Sequence, residues 1–238
     1  MNLESPEGVV LLMNKPLNWT SFDVVNKVRW LSKAKKVGHA GTLDPLATGL
    51  LILCTGKKTK TIEQIQATEK EYTGTFFLGA TTPSFDLETE VDQKFDISHL
   101  TEADIRKAIL KFTGTIQQVP PMHSAIKLGG KRAYSAARSG ETLELQPREL
   151  FIREFEVTGC ELPLLHFRVV CSKGTYIRAL ARDFGKELGA GAYLYALCRT
   201  KVGEYSLSEA YTIDQVIEHY QKKKEVKRAF ESKVTKDQ

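Results

Sequence analysis

Apolar residues near the start of the chain follow first a strand pattern and then a helix pattern. The run from Val9 to Met13 is apolar and stops at Asn14-Lys15-Pro16, which predicts a buried strand ended by a turn. Thr20 with Asp23 three residues later is a capping-box pattern, so a helix should begin here. Its predicted buried face recurs at helical spacing and consists of Phe22, Val25, Val28 and Leu31.

The segment from Val37 to Gly49 follows neither pattern. It contains three glycines and a proline, which is too many for a regular helix or strand. We therefore predict an ordered loop here, followed by a strand from Leu50 to Cys54.

Strand and helix patterns return in the middle of the chain. Tyr72 to Leu78 is rich in aromatic residues and threonine and predicts a strand, whereas the polar stretch from Thr81 to Asp92 predicts a mobile excursion. A second capping-box pattern, Thr101 with Asp104, predicts another helix.

Further elements are predicted beyond the Pro120-Pro121 pair. The pattern indicates a strand at Ser124 to Leu128, a tight turn and a short helix around Tyr134 to Arg138. Apolar residues alternate from Leu165 to Cys171, which predicts a half-buried strand. The helix that follows carries Arg178 beside its apolar stripe, near the first turn, where functional side chains often gather.

Strands and helices thus follow one another along the chain without the strict strand-helix alternation that builds a parallel sheet. This irregular order predicts the α+β class, with a mixed, largely antiparallel central sheet flanked by helices. With 238 residues, 42% of them hydrophobic, the chain can build one large core, or one core with a small appendage.

Composition argues against several classes of protein. The longest apolar run is too short to cross a bilayer and no basic segment precedes an apolar stretch at the N-terminus, so we expect a cytoplasmic protein without membrane contacts. The four cysteines form no CxxC pair, which argues against a disulfide framework or a zinc ribbon.

The formal charge of +5 permits a phosphate-bearing partner without requiring one. The basic residues cluster on both sides of the glycine-rich segment, where they indicate either a nucleic-acid surface or two solvated helix faces. They are Lys27, Arg29, Lys33, Lys35, Lys36, Lys57, Lys58 and Lys60.

Familiar cofactor motifs are incomplete in this chain. Gly56-Lys57-Lys58 lacks the hydroxyl residue of a P-loop, and Gly189 to Leu194 lacks the last glycine of a dinucleotide fingerprint. The five histidines never occur at metal-ligand spacing. We therefore expect no cofactor and no metal site.

One carboxylate in the glycine-rich segment is a candidate for catalysis. Pro45 disfavours helical backbone at Asp44, and the neighbouring glycines let a ligand approach the backbone closely. The alternative is an ordinary Asp-Pro turn, in which Asp44 only satisfies its own backbone.

A family resemblance distinguishes these alternatives. The segment Gly38-His39-Ala40-Gly41-Thr42-Leu43-Asp44-Pro45-Leu46-Ala47-Thr48-Gly49 closely resembles the signature loop of the TruB family of pseudouridine synthases. Further motifs similar to those of the family follow its order, between about Val9 and Tyr205, and this order argues against coincidence. They are Asn14-Lys15-Pro16, Lys70-Glu71-Tyr72, Val119-Pro120-Pro121-Met122-His123-Ser124-Ala125, Ser172-Lys173-Gly174-Thr175-Tyr176-Ile177-Arg178 and Gly189-Ala190-Gly191-Ala192.

The resemblance implies three catalytic residues in a pseudouridine synthase fold. Asp44 would be the nucleophile that attacks a flipped-out uridine, either at the uracil ring or at the anomeric carbon of the ribose. Arg178 would direct and stabilise this carboxylate, and Tyr72 would stack on the uracil and take part in proton transfer. Without the resemblance, Arg178 would be a solvated helix residue and Tyr72 ordinary sheet packing.

The same resemblance implies the residues that bind the substrate. Tyr176 and Leu197 would complete the wall around the uracil, and His39 would enter the space that the flipped nucleotide leaves in the T-loop. A surface histidine in a flexible loop is the alternative for His39. We interpret Lys15 and Lys60 as structural or phosphate-contacting residues.

The resemblance places a catalytic domain at residues 1–208. Many family members continue into a PUA-like domain, but too few residues follow Tyr205 for one, so we expect a short basic helical tail at 209–238. The basic run near Lys222 would then supply phosphate contacts or remain solvated. The apolar side of the tail is Ile213, Val216, Ile217 and Tyr220.

The predicted partner is the T-arm of tRNA, modified at uridine 55 by a chain that we expect to be a monomer. Two alternatives remain. The chain could be a synthase that acts on another RNA, or an RNA chaperone that binds and remodels tRNA and for which catalytic turnover is secondary. A chaperone would be insensitive to Asp44→Asn and sensitive to loss of the basic residues.

Overall fold

The computed structural model describes Leu3, Ser5 and residues 7–121, 127–128, 131–132 and 145–234, with backbone alone at 127–128, 131–132 and 227–234. The chain divides into two compact units. One consists of Met1–Ala67 and Arg199–Gln238, and the other of Thr68–Cys198.

The regular elements are numbered here in chain order. They are β1 (Val10–Lys15), α1 (Ser21–Ser32), β2 (Val37–His39), β3 (Ala47–Thr55), a 3-10 helix (Gly56–Thr61), α2 (Ile62–Ala67), β4 (Lys70–Leu78), β5 (Ala80–Thr81), β6 (Gln93–Lys94), α3 (Glu102–Leu110), β7 (Gly114–Gln118), β8 (Lys127–Leu128), β9 (Lys131–Arg132), β10 (Arg148–Glu161), β11 (Leu164–Cys171), α4 (Ile177–Glu187), β12 (Ala192–Val202), β13 (Tyr205–Ser206), a second 3-10 helix (Leu207–Glu209) and α5 (Ile213–Val234).

The first unit is built around β3, which lies between β1 and β12. The β1–β3 ladder is antiparallel, with Val10 opposite Cys54 and Lys15 opposite Gly49. The strand β2 pairs with the end of β3, so part of the predicted loop at Val37 to Gly49 is strand. Residues 50–55 of β3 are fully buried, which explains why this strand reads as a continuous apolar run.

The helix α1 begins where its capping box predicts. The Thr20 side chain accepts a hydrogen bond from the backbone of Asp23, and the Asp23 carboxylate accepts one from the backbone of Thr20. The prediction that Phe22 is buried is wrong, because Phe22 is 60% exposed and Val24 takes the core position instead. The helical spacing was right, but the buried stripe is centred on Val24, Val25 and Val28.

The second unit has the strand order β12-β4-β11-β10-β7. β4 pairs antiparallel with β11, and β11 with β10. Phenylalanine rings from these strands and from α4 pack together in the core of the second unit, some edge-to-face and some tilted. They are Phe76, Phe155, Phe167 and Phe184. The predicted alternation on β11 is confirmed, since Leu165, Phe167 and Val169 are buried.

The stretch from Thr81 to Asp92, predicted as a mobile excursion, packs polar side chains inward. Thr82, Ser84 and Asp86 are each at most 5% exposed and are hydrogen-bonded within the stretch. These three polar side chains are therefore ordered by hydrogen bonds within the stretch, and the mobility of its exposed part stays a prediction.

The α+β class with a largely antiparallel sheet is confirmed. The ladders β1–β3, β2–β3, β4–β11, β10–β11, β7–β10, β5–β6, β8–β9 and β12–β13 are antiparallel, whereas the isolated bridge between Met13 and Tyr211 is parallel. The predicted short helix around Tyr134 to Arg138 lies outside the described residues, as does most of the predicted strand at Ser124 to Leu128.

The C-terminal segment forms α5, which packs against α1 and β1. Its predicted apolar side is present, because Ile213, Val216 and Tyr220 are buried. The division of the chain at residue 208 remains a prediction. Over the described residues, no helix combines the length and the apolarity that a bilayer crossing needs.

Candidate active site

Asp44, the predicted nucleophile, lies in the first unit. Asp44 is partly exposed and opens a tight turn, in which the Asp44 carbonyl accepts a hydrogen bond from the amide of Ala47 at 3.0 Å. Pro45 occupies the second position of this turn, where its fixed φ is favourable. The turn presents the carboxylate at the point where the chain enters β3.

The backbone on both sides of Asp44 is held in place. Before it, the Ser21 hydroxyl accepts from the Leu43 amide at 2.8 Å and contacts the Leu43 carbonyl at 3.1 Å. After it, the Pro45 carbonyl accepts from the Asn18 amide at 2.9 Å. The start of α1 and the turn before it therefore fix the two neighbours of Asp44.

Lys15 is a buried cation beneath this turn, with 0% of its surface exposed. Its ammonium donates to the carbonyls of Pro16, Trp19 and Pro45 at 2.9, 2.5 and 3.2 Å. Burial lowers the pKa of Lys15 to about 8, although attraction to Asp44 and Asp23 opposes the shift. Of the two roles considered for Lys15, these contacts fit the structural one.

Upstream of Asp44, the loop is attached to a second buried cation. Arg199 on β12 is 1% exposed and donates to the carbonyls of Leu50 at 2.8 Å and Gly41 at 3.0 Å. Gly41 has a φ of +97°, a conformation that L side chains rarely adopt. Arg199 thereby ties the loop to β3.

His39 lies at the end of β2, opposite Leu53. Burial lowers the pKa of His39, the positive charge of Arg199 lowers it further, and a hydrogen bond to the backbone at Gly41 opposes them. Its Nδ1 atom is buried and has no hydrogen-bonding partner in the described part of the chain. The imidazole is therefore biased toward its neutral form, with a nitrogen that neither donates nor accepts there.

Lys60 occupies the 3-10 helix after β3 and is exposed. Its position is compatible with a phosphate contact, whereas no packing role is evident from its exposure.

In the second unit, the predicted uracil-binding residues lie on strands and at a helix start. Tyr72 lies on β4 opposite Val169 and is 9% exposed. Leu197 is half-buried on β12. Tyr176 immediately precedes α4, and its amide donates to the Gln118 side chain at 2.9 Å.

Arg178, in the first turn of α4, is only 5% exposed. Its Nε lies 3.6 Å from the carboxylate of Asp86, and its Nη1 contacts the Ser84 carbonyl at 3.4 Å. A buried guanidinium needs a carboxylate and hydrogen-bond acceptors to offset its loss of hydration. Asp86 supplies that carboxylate.

Asp86 is itself held by its own loop. Its carboxylate accepts from the Glu88 amide at 2.9 Å, and its carbonyl accepts from the Thr82 and Ser84 hydroxyls at 2.6 and 3.3 Å. Phe85 has a φ of +63°, and its carbonyl accepts a hydrogen bond from the Leu194 amide. The loop is thus an anchored support for Arg178.

Sequence reasoning missed three residues of this arrangement, namely Ser21, Asp86 and Arg199. Asp86 falls in a stretch that was taken as mobile. The signal for Arg199 was a charged residue directly after the apolar run Ala192 to Cys198, and the signal for Ser21 was its place at the start of a helix. The structure brings Lys15 near Asp44 in one unit and Asp86 near Arg178 in the other.

Comparison with known families adds two matches. Residues 29–177 match the N-terminal domain of the TruB family pseudouridylate synthases. Residues 178–233 match the tRNA pseudouridylate synthase B C-terminal domain.

Relatives with these domains cover most of this chain. The tRNA pseudouridine synthase B of Flavobacterium johnsoniae is 55% identical over 214 residues, which are 87% of this chain and 93% of that relative. The protein of the same name from Parabacteroides distasonis is 53% identical, over 88% of this chain and 92% of the relative.

Solved structures are similar in fold. A chain in a Cbf5-Nop10-Gar1 complex aligns with a TM-score of 0.71 and 27% identity over 92% of this chain. A chain in an H/ACA RNP bound to a substrate RNA containing 2'-deoxyuridine aligns with a TM-score of 0.69 and 26% identity. This chain spans 56% of the length of each.

Proposed function

Because this chain belongs to the TruB family of pseudouridylate synthases, we propose that it converts uridine 55 in the T-loop of tRNA to pseudouridine. The relatives that are more than half identical bear the name tRNA pseudouridine synthase B and are covered almost completely. The observation that carries the proposal is the Asp44 turn, whose sequence matches the signature loop and whose backbone is held on both sides.

Asp44 is the proposed nucleophile. It attacks the flipped-out nucleotide at the uracil ring or at the anomeric carbon, and both routes have the same balance. The bond from N1 to the ribose breaks and a bond from C5 to the ribose forms. The C5 proton leaves and N1 gains a proton, so the reaction needs no oxidant, reductant or external group.

The held backbone supports this role for Asp44. A nucleophile acts efficiently when its reactive atom is already directed at the target, because little ordering remains to be done on binding. The hydrogen bonds of Ser21 and Asn18 to the flanking residues supply this order. The Lys15 ammonium lies close enough to Asp44 for the two side chains to attract each other.

Arg178 and Tyr72 are proposed to act in the same reaction. Arg178 directs the nucleophile, and the buried Asp86 carboxylate sets the orientation of its guanidinium. Tyr72 stacks on the extruded uracil, which helps to offset the few kcal/mol that flipping a base costs. Tyr176 and Leu197 border the same base, and His39 fills the space left in the T-loop.

A primer-extension experiment tests the proposal. An unmodified tRNA transcript is incubated with the purified chain, treated with carbodiimide and mapped for pseudouridine. We expect one T-loop stop with wild type and none with Asp44→Asn, while tRNA binding stays near normal. The matched control is Asp214→Asn, which removes an exposed carboxylate on α5 and should leave the stop unchanged.

Other outcomes would contradict the proposal. Full turnover by Asp44→Asn would remove Asp44 from the role of nucleophile. Binding of tRNA without any stop, in wild type, would instead favour an RNA chaperone or a synthase for a different RNA.

A further inference from the structure

An exposed tryptophan on α1 has no part in the proposed chemistry. Trp30 is 70% exposed. At about 100° per residue, it lies on the side of α1 opposite the buried Val25 and Val28. A solvent-exposed indole contributes little burial free energy to folding. Packing within the chain therefore does not explain why a tryptophan occupies this position.

Two ammonium groups lie near this ring. The Nζ of Lys27, one turn earlier on α1, is 5.6 Å from the ring centroid, and the Nζ of Lys224 on α5 is 5.8 Å from it. Both distances are within the range of cation-π attraction. We call Lys27, Trp30 and Lys224 the Trp30 patch, which joins two helices of the same unit.

The charge of the Trp30 patch is not offset locally. Among the described residues, no carboxylate forms an ion pair with Lys27 or Lys224. The acidic residues nearby on α5 act on another lysine, since Glu218 pairs with Lys222 at 2.7 Å and Glu225 also attracts Lys222. Two like charges held beside one ring favour an anionic ligand over an apolar one, because an apolar partner would bury both charges unpaired.

We propose that the Trp30 patch is an RNA-binding surface that contacts the substrate RNA away from its target uridine. Lys27 and Lys224 contact phosphates, and Trp30 packs against a ribose or an unpaired base. The identity of the RNA as tRNA rests on the proposed function. The charge and exposure of the Trp30 patch do not depend on that function.

Trp30 lies further along α1 than the residue that holds the Asp44 turn, and at about 100° per residue its side chain leaves the helix on the opposite side from Ser21. Ser21, which is hydrogen-bonded to the residue before Asp44, is nine residues before Trp30 on the same helix. At 1.5 Å per residue, Trp30 is about 14 Å along α1 from Ser21. An A-form RNA stem covers this axial distance in about five base pairs.

Substitution of the two lysines tests the surface. The variant Lys27→Gln/Lys224→Gln is compared with Lys107→Gln/Lys186→Gln, which removes two exposed charges from α3 and α4. We expect the first pair to raise the KM for tRNA about tenfold, with the effect on KM rather than kcat, and to reduce the slope of log K against log salt by about 1.5. The control pair should match wild type. Equal KM and equal slope in the two double variants would overturn the proposal.

Tryptophan fluorescence gives a second test that does not depend on catalysis. Trp19→Phe leaves Trp30 as the sole tryptophan of the chain. We expect tRNA to quench its emission and Trp30→Ala to raise the Kd for tRNA about fivefold. No change in emission, or an unchanged Kd, would count against an RNA contact at Trp30.

Sedimentation identifies the main rival occupant, a second copy of the chain. A wild-type dimer that dissociates in Trp30→Ala would assign the patch to self-association and overturn the proposal. Failure of the proposed function is distinguishable, because wild type would then form no pseudouridine in tRNA although tRNA still quenches Trp30.

Discussion

Asp44 and Arg178 depend on neighbours that are distant in sequence. The carbonyl next to Asp44 is held by Lys15, 30 residues earlier, and Arg178 contacts a carbonyl 94 residues away. Each contact places a cation in a buried setting, where a missing partner is costly. Substitution of Lys15 or of Asp86, the partner of Arg178, is therefore expected to reduce activity as strongly as substitution of the reacting groups.

Asp86→Asn tests the support of Arg178. The change removes the negative charge beside a buried guanidinium but keeps the shape of the side chain. We expect turnover to fall at least about tenfold, equivalent to about 1.4 kcal/mol in the barrier, while tRNA affinity changes little. Rates of tritium release from C5-labelled uridine in tRNA measure turnover, and filter binding measures affinity.

The matched control for Asp86→Asn is Asp92→Asn. Asp92 is exposed and lies in the same loop, where its carboxylate accepts from the Thr81 hydroxyl at 2.6 Å. Asp92→Asn should keep the turnover and the tRNA affinity of wild type. Equal turnover in the two variants would contradict a role for Asp86.

Lys15 predicts a pH dependence of stability. Its pKa is lowered from 10.5 to about 8 by burial, so between these values the unfolded chain holds a proton that the folded chain lacks. Raising the pH through this window therefore stabilises the folded state. Relative to Lys15→Met, the free energy of unfolding of wild type should rise by about 1.6 kcal/mol from pH 8 to 9.5.

Urea unfolding at several pH values measures this difference. Lys60→Met serves as the control, because it removes an exposed ammonium, and its pH slope should equal that of wild type. If Lys15→Met and wild type showed the same slope, the buried lysine would not titrate in this window.

Arg199, near the end of β12, anchors the loop that carries Asp44. Its guanidinium hydrogen-bonds two carbonyls and lowers the pKa of His39 by repulsion. Arg199→Met should raise the pKa of His39 by removing that repulsion, whereas Arg199→Lys, which keeps the charge, should change it less. NMR titration of labelled histidine measures both, and His39→Gln assigns the signal. An unchanged pKa in Arg199→Met would show that the charge of Arg199 does not reach His39.

Helix boundaries were more predictable than helix faces. Both capping boxes, at Thr20 and Thr101, occur as predicted, because each depends on hydrogen bonds within four residues. The exposure of Phe22 was not predictable in the same way. Whether an apolar residue at the edge of a stripe is buried depends on which elements cover the helix, and that information is not local.

The charge of the entire chain leads to one further expectation. With a formal charge of +5 and exposed lysines in the first unit, tRNA binding should release counterions. We expect log K to fall linearly with log salt, with a slope steeper than about −2, in filter-binding titrations between about 50 and 200 mM salt. An affinity independent of salt would contradict a surface that follows the phosphate backbone.

The sequence by itself determined the family, the α+β class, the strands β3 and β11, both capping boxes and the Asp44 turn. These depend on residues that are adjacent or at short fixed spacing, so they are visible in a linear pattern. Only the tertiary structure decided that Lys15 lies under the turn, that Asp86 pairs with Arg178 and that Trp30 meets Lys224. The physical reason is that charge pairing and burial are set by residues far apart in sequence, and their proximity exists only once the strands and helices have packed.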